Sequence, residues 1–453
     1  MAKLWQKEYT LDELVEQFTV GNDYVLDARL VVSDCISSLA HARMLEKIGI
    51  LTSTETASLR SGLLRIVAEA GAGEFLIRRE DEDCHTAIEN RLTADLGEVG
   101  KKIHTGRSRN DQIIAALRLF ARARLNDISG AILDLSRALT AFAERFKDVP
   151  MPGRTHMQIA MPGSVGLWAA SFAELLLDDA TLIEAAYALN NRSPLGSAAS
   201  YGVPLPLDRE LVAQLLGFAG IQNNVLAVNN SRGKLESIVL DALDQVGLTL
   251  GKFAQDLIIF SMPEFGYFSL PKELCSGSSI MPQKRNPDGL ELLRAKGATL
   301  HAAAEQVKGV VRALPSGYNR DFQETKEPFL NGLTLVHECV RIARLTVERL
   351  EVNQDRLRAA FTPEIYATDV ALEHVKAGSS FRDAYREVAA TLSSLDSRNP
   401  DDTIGLRTST GSAGNLGLEE VNKEIDGRAR TLDAEAQRVA GALRRLTGEQ
   451  VNI

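Results

Sequence analysis

The chain has 453 residues, 45% hydrophobic and 25% charged, with a formal net charge of −9. That length suits two or three domains with sizeable cores, and the negative balance argues against general nucleic-acid binding. There is no uninterrupted run of about 18 apolar residues and no long apolar stretch behind Met1, so a soluble, unexported protein is expected. Cys35, Cys84, Cys275 and Cys339 lie far apart without a C-x-x-C pair, which argues against a disulfide framework or a zinc ribbon and predicts reduced thiols in a cytoplasm.

Glycines and caps cut the first hundred residues into short helices. Thr52-Ser53-Thr54-Glu55 fits a capping box, Gly49 fits the stop of the preceding helix, and Leu59, Leu63 and Ile66 follow at helical spacing. Glu80 to Asp83 precede Cys84-His85-Thr86 and a helix ended by Gly97. Acidic residues there complement the helix dipole, which accounts for Asp81 to Asp83. Cys84 and His85 are sequence neighbours and lack metal-site spacing, so no metal is expected and His85 is at most a supporting group.

The run His104 to Gln112, H-T-G-R-S-R-N-D-Q, gathers Arg107, Arg109 and Asn110 around Gly106 just where a long helical pattern begins. Arginine forks match carboxylates and helix N-terminal amides accept negative charge, so the group reads as a carboxylate-binding loop. Arg107 alone would read as part of a solvated turn.

Four long helices follow. From Asp111 to about Lys147 there is no proline, enough for roughly 50 Å of helix. A second helix spans Ser164 to Leu189 and is apolar on nearly every face at its start. A third, after Arg232, carries Leu235, Val239, Ala242, Val246, Leu250 and Phe253, and a fourth, opened by Pro287, carries Leu293, Gly297, Leu300, Ala304 and Val307. Such seams predict an elongated α-helical bundle whose apolar faces pack against other copies of the chain. After Leu350 shorter helices return.

Polar groups collect at the helix ends. Thr155, His156 and Gln158 fall in an expected loop before the second helix, although a lone histidine is more often structural. Ser276 to Asp288, S-G-S-S-I-M-P-Q-K-R-N-P-D, offers Ser278, Ser279 and Lys284 on a glycine-bearing loop, with Asn286 suited to cap the next helix and Pro287 to its first position. A plain connection is the ordinary alternative, and Cys275 beside it suits a small buried apolar side chain. Pro315 to Pro328 holds Tyr318, Asn319, Arg320, Gln323 and Lys326, too polar and varied for a simple helix stripe.

Together the blocks E-D-C-H, H-T-G-R-S-R-N-D-Q, T-H-M-Q, P-L-G-S-A-A, G-S-S-I-M-P-Q-K-R-N-P-D and Y-N-R-D-F-Q-E-T-K-E-P resemble the argininosuccinate lyases of the fumarase/aspartase superfamily, from about Lys3 into the last hundred residues. The resemblance implies an all-α subunit of three domains, 1–105, 106–353 and 354–453, with a central long-helix bundle. It further implies a homotetramer with a twenty-helix core, active sites shared between three subunits, and no cofactor. The implied reaction splits argininosuccinate into arginine and fumarate, the last step of arginine biosynthesis. Ser278 and His156 would exchange the protons, which is base and which acid being left open, with Glu291 orienting His156 and Lys284 easing the charge. Arg109, Asn110, Thr155, Gln158, Asn286, Tyr318, Gln323 and Lys326 would hold the substrate.

Several positions depart from the family pattern. Gln6-Lys7-Glu8-Tyr9 replaces Gly-Gly-Arg-Phe after Trp5, no substrate-binding serine occurs at Gly21 to Asp23, and Arg154 stands where tyrosine is usual. Ile159 and Met161 replace polar residues after Gln158, and Asn224 to Lys234 keeps only Arg232 of an Asp-Arg-Asp pattern. These changes touch substrate holding and leave proton transfer intact. The alternatives are therefore a lyase releasing fumarate from another N-substituted aspartate, an inactive crystallin-like homologue, and a helical scaffold for partner proteins.

Overall fold

The computed structural model describes residues 12–451 and 453, so the departure at Gln6 to Tyr9 lies outside the described residues. Three helices, α1 (Val31–Lys47), α2 (Ser53–Gly71) and α3 (Cys84–Leu96), pack around Leu39, Leu45, Leu59, Leu63 and Leu92. The capping box forms as the sequence predicts. Thr52 Oγ1 accepts from the Glu55 amide at 3.2 Å, and Glu55 Oε2 accepts from the Thr52 amide at 2.8 Å. Asp83 caps α3 by accepting from the Thr86 amide, and Gly97 closes it.

Five long helices make the spine: α4 (Arg109–Arg145), α5 (Val165–Asn190), α6 (Lys234–Phe260), α7 (Asp288–Val311) and α8 (Lys326–Arg349). They run alternately. The first residues of α4 and α8 meet at one end of the bundle, whereas α5 and α7 start at the other. The predicted seam of α6 is buried at Val239, Val246, Leu250 and Phe253, and that of α7 at Leu293, Leu300, Ala304 and Val307. Gly247 and Gly297 let these two helices touch, because a Cβ on Gly297 would lie 3.2 Å from the Gly247 carbonyl oxygen. Among the described residues, no helix is long and apolar enough to cross a membrane.

Three expectations need correction. The chain between α4 and α5 is a hairpin rather than a loop. Its strands β1 (Pro150–Thr155) and β2 (Gln158–Ser164) pair antiparallel, with Thr155 opposite Gln158. The turn residues His156 and Met157 both have positive φ, +53° and +63°, the twist that a two-residue hairpin connection requires. Asn286 does not cap α7. Its Nδ2 donates to Ser276 Oγ and to the Gly277 carbonyl, both at 3.3 Å, so it closes its own loop. Finally, the chain after Leu350 ends in a 30-residue helix, α9 (Leu418–Thr447), whose Ile425 packs with Leu133 of α4 and Leu177 of α5.

Candidate active site

A cavity of about 740 Å³ opens at the end of the bundle where α4 and α8 begin. Of the residues singled out from the sequence, Arg109, Asn110, Tyr318, Gln323 and Lys326 line it. Ser108 sets the start of α4: its Oγ accepts from the Asn110 amide at 3.2 Å, while Asp111 Oδ1 accepts from the Ser108 amide at 3.0 Å. The other oxygen of Asp111 accepts from the amides of Gly196 and Ala198, tying the 191–208 crossing to the cavity wall.

Lys326, buried at the start of α8, is bound by Asp27 at 2.6 Å and Asp23 at 3.0 Å. Burial alone would lower its pKa, but the two carboxylates outweigh that and raise it, so it is an ammonium. Gln323 turns its Nε2 toward the carbonyls of Thr19 and Val20 at 3.1 and 3.2 Å. Arg109 is less open than the loop reading suggests, because Nη2 already lies 3.1 Å from Asp83 and 3.4 Å from Glu82. Arg107 is buried rather than solvated, with Nη1 donating to Ser38 Oγ at 2.7 Å.

Beneath this wall, Asp34 Oδ2 meets His85 Nδ1 at 2.9 Å, and Gln112 Nε2 donates to both Asp34 oxygens. Burial pushes the Asp34 carboxyl up and the His85 imidazole down. Their mutual attraction prevails, lowering the pKa of Asp34 and raising that of His85. The fold also does what sequence adjacency hid: potential ligand atoms of Asp27, Cys84 and His85 lie within 4.8 Å of one another. Asp27 is engaged by the Lys326 ammonium and the Cys84 amide, and His85 Nδ1 by Asp34, so these groups form an ion-pair network.

The other singled-out residues sit at the opposite end. His156 tops the hairpin between Thr155 and Gln158, and this turn is exposed. Arg154, in place of the usual tyrosine, fastens the hairpin to the bundle, with its guanidinium 4.9 Å from the Phe265 ring centre and Nη2 3.3 Å from Tyr267 Oη. Ser276 and Asn286 exchange backbone hydrogen bonds of 2.9 and 3.1 Å across the base of a loop that carries Ser278 and Lys284. Ser278 Oγ accepts from the amides of Met281 and Ile280 at 3.0 and 3.3 Å, donors that favour an oxyanion there. Glu291 lies in the first turn of α7, and it makes no hydrogen bond with His156 among the described residues. With 37 residues in α4 and 24 in α7, the two ends stand roughly 35 to 55 Å apart in one chain.

Asp23, Asp27, Asp34 and Asp111 were not singled out from the sequence. Asp23 and Asp27 lie four apart, a spacing that sets two side chains on one helical face and could have paired them with a buried lysine. The long-range partners of Asp34 and Asp111 leave no local trace.

The family model described as lyase matches residues 6–301, most of this long-helix bundle. The chain belongs to that family and, within it, to the argininosuccinate lyases. The argininosuccinate lyase of Thermotoga neapolitana is 44% identical over 387 residues, 85% of this chain and 97% of that protein. That of Sorangium cellulosum is 44% identical over 429 residues, covering 95% and 100%. In fold, the chain is similar to EDDS lyase in complex with formate, with a TM-score of 0.81 and 22% identity over 97% of this chain and 95% of that one. It is also similar to a class II fumarase from Schistosoma mansoni, with a TM-score of 0.71 and 17% identity over 91% of each chain.

Proposed function

We propose that this protein eliminates fumarate from argininosuccinate, leaving arginine, at sites completed by neighbouring copies of the chain in a cytoplasmic homotetramer. The observation that carries this reading is the division described above. The cavity holding Asn110, Tyr318, Gln323 and Lys326 is at one end of the bundle, and Ser278, Lys284 and His156 are at the other. Copies packed antiparallel would bring the two ends together. The exposed Leu175, Leu182, Leu248, Leu292 and Ile342 on α5 to α8 offer the apolar faces for such packing.

In the assembled site Ser278, its hydroxyl proton passed to His156, acts as an alkoxide and takes the proton from the carbon beside the succinyl carboxylate, the amides of Ile280 and Met281 and the Lys284 ammonium stabilising the oxyanion. The electron pair left on carbon forms the double bond of fumarate as the C–N bond breaks. The departing guanidino nitrogen takes a proton from His156, with Thr155, Gln158 and Asn286 supplying polar contacts to the dicarboxylate and Glu291 orienting the imidazole. Donors that meet the doubly charged intermediate better than the substrate accelerate the step, one such donor contributing about 3 kcal/mol. Incubation with argininosuccinate tests the reading: fumarate should appear and be followed by its ultraviolet absorbance, and no release of fumarate by the assembled protein would refute it.

A further inference from the structure

We propose that Asp23 determines specificity for the departing amino acid by receiving its α-ammonium group on the free carboxylate oxygen, an inference that rests on the argininosuccinate reading above. Asp23 begins the single helical turn Asp23–Leu26 and lines the cavity with a side chain that keeps 17% of its surface exposed. Its Oδ1 lies 3.0 Å from Lys326 Nζ, but Asp27 already binds that ammonium at 2.6 Å and spends its second oxygen on the Cys84 amide at 3.1 Å. Two carboxylates share one ammonium, so Lys326 alone does not balance them. Asp23 Oδ2 has no partner among the described residues.

The neighbouring carboxylates are differently placed. Asp83 and Glu82 face Arg109, and Glu89 lies 3.5 Å from His104. Burial raises the pKa of the Asp23 carboxyl against the pull of Lys326, as expected of an acid short of donors. Arg232 also acts on Asp23 and lines the same cavity, with its buried Nε unpartnered. An unfilled acceptor beside an underused guanidinium matches an amino-acid head, which carries an ammonium and a carboxylate on one carbon. In argininosuccinate that head is the end remote from the bond that breaks. A contact there acts equally in substrate and transition state, so it should govern KM and leave kcat alone.

The test compares L-arginine with 5-guanidinopentanoate, which is arginine without its α-amino group, as inhibitors of fumarate release. In the unaltered protein arginine should bind the tighter of the two. Asp23→Asn should weaken arginine roughly ten-fold, leave the analogue within about two-fold and raise KM at constant kcat. Asp23→Ala, which removes the polar group altogether, should repeat the pattern, and thermal melts monitor folding of both variants. Parallel weakening of both ligands would mean that Asp23 only positions Lys326, and no weakening would mean that it touches neither; each result overturns the proposal. If the unaltered protein released no fumarate at all, the functional reading would have failed instead, and calorimetric titration with the same two ligands would still decide the role of Asp23.

Discussion

Lys326 and Asp27, 299 positions apart in the chain, form a buried ion pair of 2.6 Å that joins the start of α8 to the N-terminal wall of the cavity. A pair of this kind is costly to break from one side, because the remaining charge stays out of water. Asp27→Asn leaves Lys326 with Asp23 alone and should destabilise the fold by roughly 3 kcal/mol, read as a lowered midpoint of urea unfolding. An unchanged midpoint would mean that the ammonium is solvated in solution.

Asp179, on the buried side of α5, accepts from Thr249 Oγ1 at 2.7 Å. Burial raises its pKa to about 6 from 3.8, the hydrogen bond from Thr249 only partly opposing it. Because the folded state holds the proton more tightly than the unfolded state, the carboxylate costs stability as pH rises from about 4 through 6, and the cost is complete above 6. Asp179→Asn keeps an acceptor for Thr249 without the charge. Discounted for partial solvation, the gain should be about 1–2 kcal/mol at pH 8 and should vanish below about pH 4. Melting curves of the two proteins across that range check the sign; an equal effect at both ends would rule out titration of Asp179 as its source.

Ser278→Ala removes the hydroxyl that the Ile280 and Met281 amides address, while the Ser276–Asn286 closure of the loop does not depend on it. The variant should fold and assemble normally and lose roughly 10²- to 10⁴-fold in kcat. A near-normal rate in the pure variant would remove Ser278 from the chemistry.

How far the sequence spoke depended on whether the physics was local. The seams of α6 and α7 and the Thr52–Glu55 box are short-range patterns, and all formed where they were read. The hairpin was hidden because His156-Met157 replaces the glycine or asparagine that usually marks such a turn. Helix α9 was hidden because its middle buries only Ile425 beneath a largely charged surface. In the cavity, Asn110, Tyr318, Gln323 and Lys326 were legible through motif. Their settings were not, since Lys326 depends on Asp23 and Asp27, and Arg109 on Glu82 and Asp83, partners that only the folded chain brings near.

The most direct measurement is complementation between the two ends of the bundle. Asn110→Ala disables the cavity end and Ser278→Ala the loop end, so neither pure variant should release fumarate from argininosuccinate at more than a trace rate. If sites are built from different copies, dissociating and reassociating the two variants together will create some sites that inherit neither change, and fumarate release will recover to a sizeable fraction of the unaltered rate. Mixed oligomers that form, yet stay as inactive as their parents, would contradict the account.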